Sequence, residues 1–378
     1  MNTISSTPTM AVISPPAAPA TDERVRAISP WRAFVNRPEF GSIAGTLLVF
    51  ALFGVLARGS GMFNLDGVMN WSQVTAYLGI IAVGACVLMI GGEFDLSIGS
   101  MIGFAGMMMS VPSMFMGWPM WAAVLFAFAA CMALGWLNGW LVVRTKLPSF
   151  IVTLAFMFIL RGATIVLSTH FSNSTIVSGL AEPIAKDGLT HLLFQGNAFP
   201  GVFRSLADAG LIDKLPDGSP VVSGLPKVIL WWTGVALAAG FVLSRTRMGN
   251  WIFLVGGDAN AAKNVGVPVN GVKISLFVFT AFTACLFGVL QVADVGSAAA
   301  DRGIQKEFEA IIAAVIGGAL LTGGFGSVLG ACFGALIFGV VQIGISYTNF
   351  DSDFYRIFLG AMLLLAVLFN HYIRSRAK

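Results

Sequence analysis

Apolar runs close to the length a helix needs to cross a bilayer recur from residue 41 to residue 373, with short polar breaks between them. A spanning helix takes about 20 mostly apolar residues. Candidates fall near 41–60, 71–90, 97–117, 119–143 and 149–168, then near 227–244, 272–293, 308–321, 326–347 and 354–373. The pattern predicts an all-α polytopic membrane helix bundle in one domain over 41–373, with about ten spans if the short eighth run crosses with its flanking glycines. Between the fifth and sixth runs, residues 169–226 mix turn formers (Pro183, Pro200, Pro216, Gly218, Pro220) with apolar patches such as Leu192, Leu193 and Phe194. That stretch is too long for a plain connection, and it reads as a solvated loop or, slightly favoured, as a small platform for an external partner.

Residues 1–40 are rich in Ser, Thr, Ala and Pro and lack an apolar run of signal-peptide length. They are expected to be a disordered tail, with residues 374–378 a short tail at the other end and the first span itself directing the chain to the membrane. There is also a faint internal repeat: Ile80-Ile81-Ala82-Val83 with Ile311-Ile312-Ala313-Ala314, Gly91-Gly92 with Gly323-Gly324, and Gly99-Ser100 before Gly103 with Gly326-Ser327 before Gly330. Spans two and eight point the same way in a ten-span bundle, so this would be a parallel repeat.

Composition removes the soluble alternatives. With 57% hydrophobic and 11% charged residues in 378, the chain cannot cover a globule with polar groups and needs lipid as its solvent. The net charge of +4 reflects loop anchors and implies no nucleic acid. Arg24, Arg26, Arg32, Arg37, Arg144, Lys146, Arg245, Arg247, Lys263, Lys273, Arg374, Arg376 and Lys378 fall on one side of a ten-span bundle. The opposite short loops hold Arg58, Arg302, Lys306 and Arg356. The positive-inside rule then puts both termini in the cytoplasm. Cys86, Cys131, Cys285 and Cys332 sit in apolar stretches, and His170, His191 and His371 lack metal-ligand spacing, so no metal site is expected.

The stretch Gly91-Gly92-Glu93-Phe94-Asp95-Leu96-Ser97 joins two spans with acids and glycines. Asp95 or Ser97 suits an N-cap of the third helix, and glycine-rich backbone at membrane depth also suits the wall of a wet path. Arg161 lies about a dozen residues into the fifth span, near 16 Å at 1.5 Å per residue, and must face protein or water. Asn70, Gln73, Asn138, Gln291 and Gln342 are further polar groups in or beside the spans, each read first as helix-to-helix glue. Of these, Asn70, Gln73 and Asn138 join Gly91, Gly92, Glu93, Asp95, Ser97 and Arg161 as path or gate candidates.

The segment Arg245 to Lys273 is the candidate partner-binding element. Within it Asp258 suits an N-cap, alanines favour helix, Lys263 suits the carboxyl end, and Gly266 with Pro268 ends the helix. So short a helix is marginal in water unless something packs on it, which points to a docked surface. The candidates there are Thr246, Arg247, Gly249, Gly256, Gly257, Asp258, Ala261, Ala262, Lys263 and Gly266. No GK[ST] occurs, so no P-loop is present and the chain is not expected to be an enzyme.

The stretches GGEFDLSIGS (91–100), LPSFIVTLAFMFILRG (147–162), TRMGNWIFLVGGDANAAKNVGVPV (246–269) and AAVIGGALLTGGFGSVLGACFGALIFG (313–339) resemble the ribose/xylose/arabinose-type permeases of bacterial ABC importers. The resemblance covers roughly 40–373. It implies an inner-membrane permease working as two copies, a separate ATPase that binds the ATP, and a periplasmic sugar-binding protein, with 258–266 as the helix seated in the ATPase. A monosaccharide is the expected solute, with a nucleoside, purine or flavin as the alternative. An ion-coupled secondary transporter is the rival class; it would need titratable groups inside the membrane beyond Arg161.

Overall fold

The computed structural model describes residues 39–348, 350–362 and 364–365. Residues 1–38 and 374–378, which hold the expected tails, lie outside the described residues. The chain enters as five long helices: α1 (Glu39–Leu56), α2 (Leu65–Ile90), α3 (Ile98–Phe115), α4 (Met120–Thr145) and α5 (Ser149–Ser172). A mixed segment follows, made of β1 (Ile176–Val177), α6 (Ala181–Lys186), α7 (Gly188–Phe194), β2 (Asn197–Ala198), α8 (Pro200–Asp208) and β3 (Leu225–Pro226). Then come α9 (Lys227–Arg245), α10 (Arg247–Gly257), α11 (Ala259–Asn264), α12 (Val269–Val295), β4 (Ala298–Ala299), α13 (Lys306–Ile316), α14 (Val328–Ser346) and α15 (354–362).

Eight of the described helices, α1 to α5, α9, α12 and α14, are long and apolar enough to cross a bilayer. The run near 308–321 does not form a ninth. Its helix, α13, has 11 residues, about 16 Å at 1.5 Å per residue or roughly half the hydrocarbon thickness. From 317 to 327 the chain is non-helical, because Gly318 just past the last helical turn takes φ of +93°, and Gly323 and Gly324 take +80° and +73°, which no right-handed helix accommodates. The run near 354–373 begins as α15, and beyond residue 365 it lies outside the described residues.

Burial sorts the spans into a centre and a rim. In α2 83% of the apolar window is buried, with α3, α12 and α14 close behind, whereas α1 and α9 reach 22%. On the rim, Leu47, Val55, Leu237 and Phe241 are exposed, as side chains against lipid must be. Where α4 crosses α12, two glycines one turn apart let the backbones touch. A Cβ at Gly135 would stand 2.7 Å from the Phe277 carbonyl, and one at Gly139 2.8 Å from Ile274 Cα, the small-residue contact that holds helices together in membranes.

Residues 173–226 form a folded layer over one end of the bundle. β1 pairs antiparallel with β4 (Ile176 with Ala299) and β2 with β3 (Asn197 with Pro226). Asp187 caps α7 through Thr190 N–H at 2.9 Å and reaches the start of α4 through Trp121 N–H at 3.1 Å. Lys227 Nζ donates to the carbonyls of His191 and Gln195, at 2.7 and 2.6 Å. The Phe194 ring stacks on Trp231 at 5.6 Å. This layer is a fastened platform and not a solvated loop, because its carbonyls are taken up by side chains of the spans beneath it.

Candidate functional site

The 91–97 turn sits at the end of the bundle opposite the platform. α2 stops at Gly91, Gly92 turns the chain with φ of +80°, and residues 93–97 run on to α3. Glu93, mostly buried, forms an ion pair with Lys273 in the first turn of α12. Phe94 N–H donates to Ser149 Oγ at 3.0 Å and Leu96 N–H to Thr153 Oγ1 at 3.0 Å, both on α5. The expected side-chain cap on α3 is not made. Ser97 holds the N-cap position, but its N–H and hydroxyl both bond Asp95 Oδ1, at 2.8 and 2.5 Å. Its oxygen also accepts from Asn138 Nδ2 at 3.1 Å. The hydroxyl is thus spent on binding α4 to the turn, and α3 begins with helical backbone at Ser97 instead of a side-chain cap.

The 245–273 segment folds as two short helices. Thr246 caps α10 by accepting from Gly249 N–H at 3.3 Å, and Arg247 opens that helix. Asp258 caps α11, its Oδ1 accepting from Asn260 and Ala261 N–H at 2.8 and 3.0 Å. Lys263 lies in the last turn and Gly266 turns the chain at φ +84°. Ala262 points into the protein, while Gly257, Asp258, Ala261, Lys263 and Gly266 are exposed. Gly256 packs directly on the carbonyl of Ile90 at the end of α2.

A second polar level lies inside the bundle, around Arg161 at the midpoint of α5. Gly103 of α3 packs on the Arg302 carbonyl, and Gly99 on the Gly303 carbonyl and Glu307 Oε2. The 300–307 stretch, including Arg302 and Lys306, therefore lies against α3 within the bundle, not in a short surface loop. It descends there because α13 is only half a span long. Glu307 and Glu309 are buried, Glu309 pairing with Lys306 at 2.6 Å. Glu307 Oε2 and Arg161 Nη2 have no hydrogen-bond partner, and Arg161 forms no ion pair among the described residues, though its charge acts on Glu307. The carboxylate of Glu307 lies at the amino end of α3, where free N–H groups favour negative charge. Sequence reading missed both acids; the available signal was KEFE directly before an apolar run.

Asn70 and Gln73 belong elsewhere, at the platform end. Asn70 Nδ2 reaches Tyr347 Oη at 3.4 Å, while Gln73 Nε2 and Tyr77 Oη both donate to Asp294 Oδ2, at 2.6 and 3.1 Å. The candidates thus separate into three places: the 91–97 turn with the 245–273 segment, the Arg161 level, and the platform end.

Comparison with known proteins gives one consistent picture. The family described as branched-chain amino acid transport system / permease component matches residues 67–367. The xylose transport system permease protein XylH of Escherichia coli (strain K12) is 30% identical over 374 residues, covering 91% of this chain and 94% of the relative. The ribose import permease protein RbsC of the same strain is 29% identical, covering 87% of this chain and 92% of the relative. The fructose import permease protein FrcC of Rhizobium meliloti is 30% identical, covering 88% and 85%.

Proposed function

We propose, for a chain that belongs to the branched-chain amino acid transport system / permease component family, that it is the membrane-spanning permease subunit of an ATP-binding cassette importer for a monosaccharide. The observation that carries the reading is α11: a six-residue helix capped by Asp258, held by buried Ala262 and half-buried Ala259, with its other residues exposed. A helix that short is not stable alone, and its exposed face, Asp258, Asn260, Ala261 and Lys263, suits a groove on an ATPase subunit that binds the ATP. The opposite end carries the platform, with Leu189, Leu192, Phe199 and Val202 exposed, which suits a periplasmic solute-binding protein. Two copies of the chain then work in the bacterial inner membrane, with 245–273 and both termini in the cytoplasm.

Three relatives named for xylose, ribose and fructose support a sugar. Nucleosides, purines and flavins are the alternative solutes. The buried Glu307 and Glu309 are the one observation that favours an ion-coupled transporter, since such carriers need acids inside the membrane. Each acid has a structural role here, Glu309 in its pair with Lys306 and Glu307 at α3. Co-purification decides between the two classes: an ATPase subunit retained in mild detergent is expected, and solute flux in liposomes by this chain alone overturns the importer.

A further inference from the structure

Three glycine pairs far apart in the sequence, Gly91-Gly92, Gly256-Gly257 and Gly323-Gly324, meet at one point of the bundle. A Cβ at Gly323 would stand 2.7 Å from Gly92 Cα and 2.7 Å from the Gly256 carbonyl oxygen; one at Gly324 would stand 2.9 Å from Gly257 Cα. Gly256 has helical backbone, so space alone demands glycine there. A Cβ would run into the Ile90 carbonyl and stand 2.6 Å from Gly324 N. Gly324 N–H donates to that same Ile90 carbonyl at 2.8 Å, which closes the junction with a backbone bond.

The junction grips one root of the segment that carries α11, and the other root is gripped as well. Lys273, at the far end of that segment, pairs with Glu93. The chain from Gly256 to Lys273 is therefore clamped at both ends on the 91–93 turn, with the exposed α11 between the clamps. From the turn, contacts fan out to α5 through Ser149 and Thr153, to α4 through Ser97 and Asn138, and to the α13–α14 connection through Gly324. Gly91-Gly92 and Gly323-Gly324 are also the matching positions of the internal repeat, and α2 and α13 both run towards the junction. One input at α11 thus reaches the ends of both α2 and α13.

Contacts between side chains have slack, since rotamers can absorb a shift of an ångström. Backbone against backbone does not. We propose that Gly92, Gly256 and Gly323-Gly324 form a positioning junction that passes displacement of α11 into the spans, with Gly256 setting the contact. This rests on the reading of α11 as the ATPase-docking helix.

The test uses the chain assembled with its co-purified ATPase and binding protein, and reads how strongly the binding protein stimulates ATP hydrolysis. The platform and α11 lie at opposite ends of the bundle, so a signal from a binding protein on the platform has to cross the spans and this junction on its way to the ATPase. Gly256→Ala is expected to lose at least about nine-tenths of the stimulation, read for each variant relative to its own unstimulated rate per retained ATPase. Gly240→Ala in α9, where an added Cβ meets nothing within 4 Å, is expected to behave as wild type. Wild-type stimulation in Gly256→Ala, with the ATPase retained, overturns the junction alone. If that variant cannot be recovered from the membrane, Gly92→Ala decides, because its added Cβ stands 3.3 Å from Gly256 Cα and presses on the same contact without a hard collision: lost stimulation supports the junction and wild-type stimulation overturns it. Failure of the wild-type chain to retain any ATPase removes the importer reading and the junction's role with it.

Discussion

Asn138 of α4 donates from Nδ2 to Ser97 Oγ at 3.1 Å, and Ser97 passes the bond on to Asp95 at 2.5 Å. All three side chains are buried, and this short chain of hydrogen bonds fixes α4 to the turn between α2 and α3. Asn138 Oδ1 has no hydrogen-bond partner among the described residues. A buried network that is only partly satisfied is sensitive to which atom is removed.

Asn138→Leu removes the donor and the unpartnered oxygen together, so the two effects offset and the loss should stay within about 2 kcal/mol. Asn138→Asp keeps the shape but puts a carboxylate beside Asp95, an uncompensated buried charge worth roughly 3–5 kcal/mol. Thermal unfolding in detergent should therefore rank Asp far below Leu. The reverse order would mean that the network is not dry.

The platform should have an acid limit of its own. Burial alone would raise the Asp187 carboxyl, but N–H donors from Thr190 and Trp121 outweigh it and hold the carboxyl below its ordinary value. A lowered folded value means that the stabilisation is present above the ordinary carboxylate range, near 4, and is lost as pH falls through the folded value. Limited proteolysis within 188–220 should accelerate only below about pH 4. In Asp187→Ala, which loses the α7 cap and the tie to α4 at a cost of about 1 kcal/mol, cleavage should already be fast at neutral pH.

Gly99 and Gly162 look alike in sequence and should behave oppositely. An added Cβ at Gly99 collides with Glu307 and with the Gly303 carbonyl, whereas one at Gly162 meets nothing within 4 Å. Gly99→Ala should lower stability by about 3 kcal/mol or more through overpacking. Gly162→Ala should be neutral or stabilising by up to about 1 kcal/mol, the helix propensity gain. Melting temperatures of the two purified variants, measured side by side, check the contrast.

What could be read in advance was what depends on neighbours in sequence. Asp258, Lys263 and Gly266 announce α11 because a cap, a last-turn cation and a left-handed glycine act within a turn or two of where they stand. The central spans are legible for the same reason, since hydropathy is a local sum. The half-length of α13 was hidden: a window over 308–321 counts apolar residues and cannot see that Gly318 holds a φ of +93°, closed to a helix. Glu307 and Asp294 stood at the ends of apolar runs, where acids are ordinary, and they gain their place only when Gly99 or Gln73 is brought against them by packing. The meeting of Gly92 with Gly256 and Gly323 likewise exists only in three dimensions, for each pair by itself is a common turn.

Arg161 and Glu307 offer the most direct test of how charge is held inside the bundle. They do not form an ion pair, so any coupling between them acts across a gap, strengthened by low dielectric. Arg161→Met leaves Glu307 facing the amino end of α3, and Glu307→Gln removes an acid whose charge acts on Arg161. Each single change should therefore destabilise more than the pair of changes would suggest, with a coupling energy of about 1–2 kcal/mol in a double-mutant cycle of detergent unfolding. Additivity within about 0.5 kcal/mol would mean that the α3 dipole alone holds the carboxylate. In that case raising salt should leave both single variants unchanged, because a buried helix end is barely screened.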